Sequence, residues 1–270
     1  MERIRLRHSC ISGKVIFIIC VVLLTNGCAT KIALNMLQPA EYHQASLTKI
    51  VAVLPFSGQG GQQITSEIEG VLGSISIDGK NYFTVVDRNA IDKILGEMKL
   101  NQSGMVDQST AAEVGKLIGA QGIYTGAVTQ YNSAEGQYTE ERSECSQYAQ
   151  KCDAKGNCYQ GNCLQWRKYN VSCTKRSGYF AFAPKLIEVQ TGKIIYTRDI
   201  NGSATSSGCA DGTPPKSGSE LIGQSIEMAK AGFRKDIAPH YVVRQIKLMD
   251  STNGIDSSQA KDKLKQGVDY

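Results

Sequence analysis

One continuous stretch, from Phe83 to Tyr131, constrains the fold most strongly, because two strand patterns enclose two helix patterns in it. Its β-branched and aromatic first residues favour a half-buried strand, and its last residues repeat that pattern. Asp87 stands where the N-cap of a first helix belongs, and Asp107, Ser109 or Thr110 can start a second helix. The stretch therefore predicts a strand–helix–helix–strand unit, which needs a partner sheet to bury its apolar face.

The rest of the sheet is predicted from strand patterns on either side of this unit. Residues 49–56 form an almost unbroken apolar run, as expected of a strand that is covered on both faces. Residues 179–189 and 194–200 indicate the two arms of a hairpin around a turn at 190–193, and residues 221–233 indicate an amphipathic helix. The sequence thus predicts an α/β (α+β) domain in which helices flank a mixed β-sheet.

Patterns in the C-terminal part of the chain are weaker. Residues 201–219 are predicted to form a polar loop, since residues 201–208 contain no large apolar side chain. Residues 241–249 alternate in the manner of a last strand. Residues 257–270 have the spacing of one short amphipathic helix, which is marginal by itself, so we expect it to fray.

Four sequence blocks, in a fixed order, carry a resemblance to a known family. They read IVAVLPF from residue 50, FTVVDR from residue 83, ILGEMKLNQSG from residue 94 and AAEVGKLIGAQGIYTG from residue 111. With these blocks the chain resembles the curli assembly lipoprotein (CsgG) family over residues 49–131, and more loosely over residues 179–238. The resemblance implies a periplasmic lipoprotein domain. It also implies that some members act as subunits of an oligomeric outer-membrane channel, to which each subunit contributes membrane-crossing hairpins.

Residues 1–27 have the features of a secretory signal peptide. Four basic residues precede a short apolar core over residues 15–24, which is too short to be a permanent membrane helix. Removal of this leader leaves 26 basic and 24 acidic residues. Such a near-neutral chain does not indicate the concentrated basic face of a nucleic-acid-binding protein, and we exclude that class of partner.

The residue after the leader is a candidate for lipid attachment. Gly27 directly before Cys28 is typical of bacterial lipoproteins, in which that thiol receives lipid and the N-terminus gains acyl chains such as palmitate. Thr25 occupies the place where Leu is usual, so cleavage near Ala29 and a soluble periplasmic product is the alternative. We predict lipid attachment at Cys28, with residues 28–46 as a tether between the membrane and the domain.

Residues 132–178 differ abruptly from their surroundings, because they are polar and rich in cysteine. They contain no histidine and no C-x-x-C motif, so the common zinc patterns are missing. In an oxidising compartment such thiols pair, and the even number of candidates allows fifteen connectivities. We therefore predict a small insertion that disulfides staple. The predicted disulfide cysteines are Cys145, Cys152, Cys158, Cys163, Cys173 and Cys209.

The sequence offers no set of residues that predicts catalysis. His43 and His240, the histidines of the mature chain, have no obvious partners. Asp87 and Arg88 are explained by a helix cap and a surface ion pair. The glycines at 58–61 complete neither a dinucleotide-binding motif nor a P-loop. We therefore predict no enzyme activity, no catalytic residue, no cofactor and no metal ion.

Taken together, the patterns predict a CsgG-like domain over residues 47–249, with its insertion at 132–178 and a tail over residues 250–270. We expect a lipoprotein anchored at the outer membrane that binds envelope or secretion-apparatus proteins in the periplasm. The alternative is a subunit of an oligomeric curli-type secretion channel, which would be a homo-oligomer. That alternative places residues 132–178 and 201–219 in lipid, where each charged side chain costs several kcal/mol, so we favour the binding protein.

Overall fold

The computed structural model describes residues 31–98, 107–247 and 254–268, so the leader and Cys28 lie outside the described residues. The chain forms two compact units. The larger unit spans Pro39–His240, and the smaller combines the two ends of the chain, up to Gln38 and from Tyr241 onward. Among the described residues, no helix is long and apolar enough to cross a membrane.

A mixed sheet forms the centre of the larger unit, in the order β5–β2–β6–β7–β8, and β9 pairs with a different part of β7. β2 is parallel to β5 and β6, whereas β7 runs antiparallel to β6, β8 and β9. The predicted mixed sheet is therefore confirmed. The strands are β2 (Ile50–Val53), β5 (Thr84–Val85), β6 (Gly122–Cys152), β7 (Cys158–Glu188), β8 (Ile194–Thr197) and β9 (Ile200–Cys209).

Helices in this unit begin where the sequence places their caps. Asp87 accepts a hydrogen bond from the backbone amide of Asn89 at 2.8 Å, and Asp107 accepts one from the amide of Thr110 at 2.8 Å. The predicted N-cap at Asp87 is thus confirmed, and Asp107 is the N-cap among the three candidates for the second helix. The helices are α1 (His43–Leu47), α2 (Gly61–Ser74), α3 (Arg88–Glu97), α4 (Gln108–Leu117) and α5 (Gly218–Ile237). A short hairpin of β3 (Ser76–Ile77) and β4 (Lys80–Asn81) follows α2.

The core has two parts, one on each face of the sheet. Val51 and Val53 of β2 belong to the cluster that α2 and α5 cover, whereas Ala52 and Leu54 belong to the cluster that α3 and α4 cover. Successive residues of a strand point to opposite faces, so a strand buried on both faces has to be apolar throughout. This explains the unbroken apolar run at residues 49–56.

The prediction of a polar loop over residues 201–219 is wrong up to Cys209, because β9 lies there and pairs with β7. The absence of large side chains has a packing reason. A Cβ atom on Gly202 would collide with the backbone of Ser225 in α5, and one on Gly178 of β7 would collide with the backbone of Leu221. Small residues therefore allow α5 to lie directly on β7 and β9.

Residues 132–178 do not form a small separate module either. They are the outer parts of β6 and β7, which continue as one hairpin far beyond the central sheet. In a paired ribbon the backbone N–H and C=O groups form hydrogen bonds across the two strands, and no apolar core is needed for this. Polar side chains are therefore compatible with a ribbon. The disulfide-stapled insertion is confirmed as a feature of the fold, in the form of a ribbon.

Strands β1 (Lys31–Gln38) and β10 (His240–Lys247) pair as a two-stranded sheet, which lies almost entirely in the smaller unit. The segment assigned to the tether, residues 28–46, thus contains β1 and most of α1. β10 corresponds to the predicted last strand, whose final two residues lie outside the described part of the chain. The tail, which was expected to fray, contains the helix α6 (Ser258–Val268).

Candidate docking surface on the stapled ribbon

The β6–β7 hairpin continues beyond β9 as a ribbon of two strands. β9 accompanies β7 only as far as the paired residues Cys173 and Cys209, and past this point β6 and β7 pair with each other alone. We call residues 139–171 the arm. A strand rises about 3.3 Å per residue, so the arm provides roughly 45 Å of ribbon. An isolated hairpin is marginally stable in water, and the arm therefore needs stabilisation other than a core.

Disulfides supply that stabilisation at the root, the middle and the tip of the arm. The sulphur atoms of six cysteines lie at bonding distance in three pairs, which selects one of the fifteen connectivities left open by the sequence. The pairs are Cys173–Cys209, Cys145–Cys163 and Cys152–Cys158. Cys145–Cys163 and Cys152–Cys158 join β6 to β7 within the arm, whereas Cys173–Cys209 joins β7 to β9 at its root, and each bond restricts the unfolded chain.

The tip of the arm is a turn built around Asp153. Its carboxylate accepts hydrogen bonds from the backbone amide of Asn157 at 2.9 Å and from that of Lys155 at 2.8 Å. These bonds, the one from Asn157 foremost, hold the pKa of Asp153 below its ordinary value. Gly156 has a φ of +84°, which glycine adopts without a steric penalty. The turn thus has a defined conformation and is not a loose loop.

Charged side chains on the arm pair with one another across the two strands. Arg167 bonds to Glu144, its direct cross-strand neighbour, and Lys168 reaches Glu141 at 2.8 Å. Both pairs are solvent-exposed, so each contributes little to stability. The arm contains five basic and four acidic residues, so its surface is close to neutral. A polyanion such as nucleic acid is not the partner that such a surface selects.

The arm also exposes large apolar side chains. Leu164 and Trp166 are 63% and 66% exposed, and Tyr148 and Tyr159 are about half exposed. Leu164 and Trp166 are two residues apart on β7, so these exposed side chains are close neighbours along the ribbon, at a place where the pairing with β6 is irregular. Aromatic residues of this exposure, on a scaffold held by disulfides, are the side chains that most often anchor protein–protein interfaces.

A second candidate is an open cleft of about 870 Å³ between α1, the loop before β6 and the turn joining β7 to β8. Its ionisable side chains are Glu188 and Lys193. The hydroxyl of Thr191 donates to Glu188 at 2.6 Å and accepts from the backbone amide of Lys193 at 3.2 Å. Both hydrogen bonds are therefore formed within the turn. No histidine or cysteine among the described residues lines this cleft.

The predicted surface ion pair at Arg88 is present but has a structural explanation. Arg88 contacts Glu69 at 3.2 Å, Asp92 at 3.3 Å and the backbone oxygen of Val53 at 3.1 Å. Burial raises the pKa of Glu69, and the charge of Arg88 opposes this shift. The group therefore ties α2 and α3 to the end of β2.

The remaining residues that could suggest chemistry are isolated. Glu140 lies close to Cys173 and Cys209, but those two sulphurs are bonded to each other and cannot act as thiolate ligands. His240 is buried, and its Nδ1 atom has no hydrogen-bond partner among the described residues; His43 lies exposed on α1.

A buried polar cluster surrounds Asp236 of α5, and the sequence patterns did not predict it. Its carboxylate accepts a hydrogen bond from the hydroxyl of Tyr196 at 2.8 Å and forms an ion pair with Arg198, which also reaches Glu41 at 3.3 Å. The pattern contained a signal, because Asp236 is three residues after Phe233 and therefore lies on the apolar stripe of the helix. The cluster joins α5, β8 and the segment before α1.

The fold and the candidate site define a class of protein: a layered α/β domain with a long, disulfide-stapled β-ribbon. The particular family follows from comparison with known families. Residues 35–224 match the family described as the curli production assembly/transport component CsgG, which is more than half of the chain. The chain belongs to the CsgG family. No curated protein matches it.

Solved structures similar to this chain are distant in sequence. The C-terminal domain of LpoB from Salmonella enterica shares 14% identity with a TM-score of 0.32, over 58% of this chain and 82% of that one. Lipoprotein GNA1162 from Neisseria meningitidis shares 12% identity with a TM-score of 0.32, over 65% and 90%. The PelC dodecamer from Paraburkholderia phytofirmans shares 11% identity with a TM-score of 0.30, over 77% and 99%. At these scores the similarity supports no conclusion about function or assembly.

Proposed function

We propose that this protein is a non-catalytic docking factor of the cell envelope, and that its arm binds an envelope or secretion-apparatus protein in the periplasm. The observation that carries this proposal is the exposure of Leu164, Trp166, Tyr148 and Tyr159 on an arm that two disulfides staple and a third fixes at its root. The family's description as an assembly and transport component agrees with such a role.

The arm combines exposed apolar side chains with a backbone that disulfides restrict. Large apolar side chains in water cost free energy, which their burial against a partner recovers at about 25 cal/mol per Å². Binding also costs entropy wherever a mobile segment has to become ordered. The disulfides Cys145–Cys163 and Cys152–Cys158 reduce this cost, because they restrict the ribbon before a partner arrives. A stapled arm is therefore suited to recognition.

Lipid attachment at Cys28 is the second part of the proposal. A diacylglyceryl group there would hold the chain at the periplasmic face of the outer membrane, since each buried methylene contributes roughly 0.8 kcal/mol. The leader and the Gly27–Cys28 boundary support this assignment. Incorporation of labelled palmitate, lost in Cys28→Ala, is the expected result, and a mature chain that begins near Ala29 without lipid would contradict it.

The docking role is tested by a photo-crosslinking amino acid placed at Trp166 in intact cells. A matched control places it at Leu117 of α4, which is 62% exposed but lies away from the arm. We expect discrete adducts with an envelope protein at position 166, weakened about tenfold by Leu164→Asn because this change removes apolar surface that a partner would bury beside position 166. The same adducts at position 117, or none at position 166, would refute the docking role.

The channel alternative makes an opposite prediction for the purified, lipidated protein. A docking factor leaves liposomes sealed to small dyes and migrates in detergent as a monomer or small oligomer. Ring-shaped particles together with dye leakage would show that the protein is a conduit, and the docking proposal would be abandoned.

A further inference from the structure

The smaller unit exposes a second apolar surface, which the arm does not explain. It lies on the two-stranded sheet of β1 and β10, and we call this sheet the terminal ribbon. Apolar side chains between 39% and 68% exposed are present on both strands. They are Leu34, Met36, Leu37, Tyr241, Val243 and Ile246. Leu34 and Met36 are two residues apart and therefore project from one face of β1.

The charge of the terminal ribbon has one sign. Its two strands contain Lys31, Arg244 and Lys247, and neither strand contains an aspartate or a glutamate. Two copies of the ribbon packed together would bring like charges close without acidic partners, which is unfavourable. Anionic phosphate groups would supply the missing negative charge. The composition thus favours a phospholipid surface over a second copy of the chain.

The position of the terminal ribbon in the chain points to the same partner. Only Ala29 and Thr30 separate Cys28 from Lys31, the first residue of β1. Three residue steps span at most about 11 Å when the chain is fully extended. A lipid on Cys28 would therefore hold the start of β1 at the level of the lipid head groups.

We propose that the terminal ribbon lies on the anionic surface of the membrane, with Leu34 and Met36 in the interface and Arg244 at the phosphates. This inference rests on the proposed lipid attachment at Cys28. An interfacial element buries side chains only about 5–10 Å deep, so the backbone edges of the ribbon remain hydrated. The lipid fixes one point, whereas a strand of eight residues adds a line of contact of about 26 Å.

The test uses the mature chain carrying Cys28→Ser, exported behind a leader that is cleaved without lipidation, so that only the protein surface can bind. Sedimentation with vesicles of phosphatidylcholine and phosphatidylglycerol at three to one is compared with pure phosphatidylcholine. We expect binding to the anionic vesicles that decreases with salt. Leu34→Asn combined with Met36→Asn should weaken it about tenfold, and Arg244→Gln about fivefold.

Met228→Asn is the matched control, because Met228 is 54% exposed on α5 in the larger unit and its change should leave vesicle binding unaltered. No binding to anionic vesicles, or equal binding by the control and the double variant, would overturn the inference. So would ribbon variants that alter only self-association in sedimentation velocity, because the ribbon would then be an interface between copies.

Palmitate labelling and the crosslinks at Trp166 are measured separately, so failure here is distinguishable from failure of the proposed function.

Discussion

Asp236 is a carboxylate with no solvent exposure on the buried face of α5, whose other residues are apolar except for Ser225. Burial raises its pKa above the ordinary value, although the hydrogen bond from Tyr196 and the charge of Arg198 oppose the shift. A buried ionised group persists only where partners satisfy it, and here one partner is a buried phenol and the other a half-exposed guanidinium. At the scale of single residues, removal of either partner would leave a buried carboxylate without full compensation.

The two buried tyrosines near Asp236 provide a matched pair of substitutions. The hydroxyl of Tyr196 donates to Asp236, whereas that of Tyr124 has no hydrogen-bond partner among the described residues. Burial raises the pKa of both, so both are neutral donors. We expect Tyr196→Phe to lower the free energy of unfolding by about 1–3 kcal/mol and Tyr124→Phe to change it by less than about 0.5 kcal/mol.

Chemical denaturation of the two variants measures this difference directly. Equal losses for both would mean that the hydroxyl of Tyr124 is satisfied in solution. A loss confined to Tyr124→Phe would reverse the assignment of the buried hydrogen bond.

The raised pKa of Asp236 also predicts how stability varies with pH. The native state binds the proton of the Asp236 carboxyl more tightly than the unfolded state does. The contribution of Asp236 to stability is therefore most favourable below its unfolded pKa, near 4, and falls as the pH rises toward its native pKa. Asp236→Asn cannot ionise. The unfolding free energy of the variant relative to the parent should therefore increase with pH across this window.

Urea unfolding of both proteins, at several values from about pH 4 to neutrality, measures this trend. Glu113→Gln, at an exposed position of α4, is the control and should give a flat difference. A difference that falls with rising pH for Asp236→Asn would show that the native carboxyl has a lowered pKa instead.

At the scale of elements, β9 shows why local pattern was not sufficient. Its Ser- and Gly-rich sequence has no strand signal, since strand propensity reflects side chains that pack on a pleated surface. Its place in the sheet follows from α5, which lies so close that a Cβ on Gly202 would collide with Ser225. The hairpin arms at 179–189 and 194–200, by contrast, were predictable because alternation and the turn at Gly192 are local signals.

We predict that the middle disulfide stabilises the arm itself and does not affect the global stability of the domain. In Cys145→Ser combined with Cys163→Ser, we expect amide exchange across the arm to accelerate, because a two-stranded ribbon lacks a core. The midpoint of global unfolding should stay unchanged, since the buried clusters lie in the central sheet. Hydrogen exchange with mass spectrometry separates the two effects.

The control for the arm is Cys173→Ser combined with Cys209→Ser, at the root. Cys173 is buried, and its bond joins β7 to β9 at the end of their pairing, so its loss should reduce global stability by about 2–5 kcal/mol. If the middle pair instead lowered the global midpoint as strongly as the root pair, the arm would be part of the cooperative core.

At the scale of the whole molecule, two exposed apolar surfaces stand out, the arm in the larger unit and the terminal ribbon in the smaller one. They differ in charge, because the arm contains similar numbers of basic and acidic residues, whereas the terminal ribbon contains basic residues and no acidic one. This difference assigns them to different kinds of partner, a protein for the first and a lipid surface for the second. Each assignment has its own test, so one can fail without the other.

The sequence by itself determined the strand–helix–helix–strand unit, the cap at Asp87, a choice of three caps for the second helix, and the resemblance to the family. These depend on periodicity and capping, which act over a few neighbouring residues. Only the tertiary structure decided the pairing of β9 with β7, the three disulfides, the length of the arm and the burial of Asp236. The pairing of β9 and the burial of Asp236 depend on how α5 packs on the sheet, and the disulfides and the length of the arm depend on how far β6 and β7 continue to pair; no local pattern encodes either.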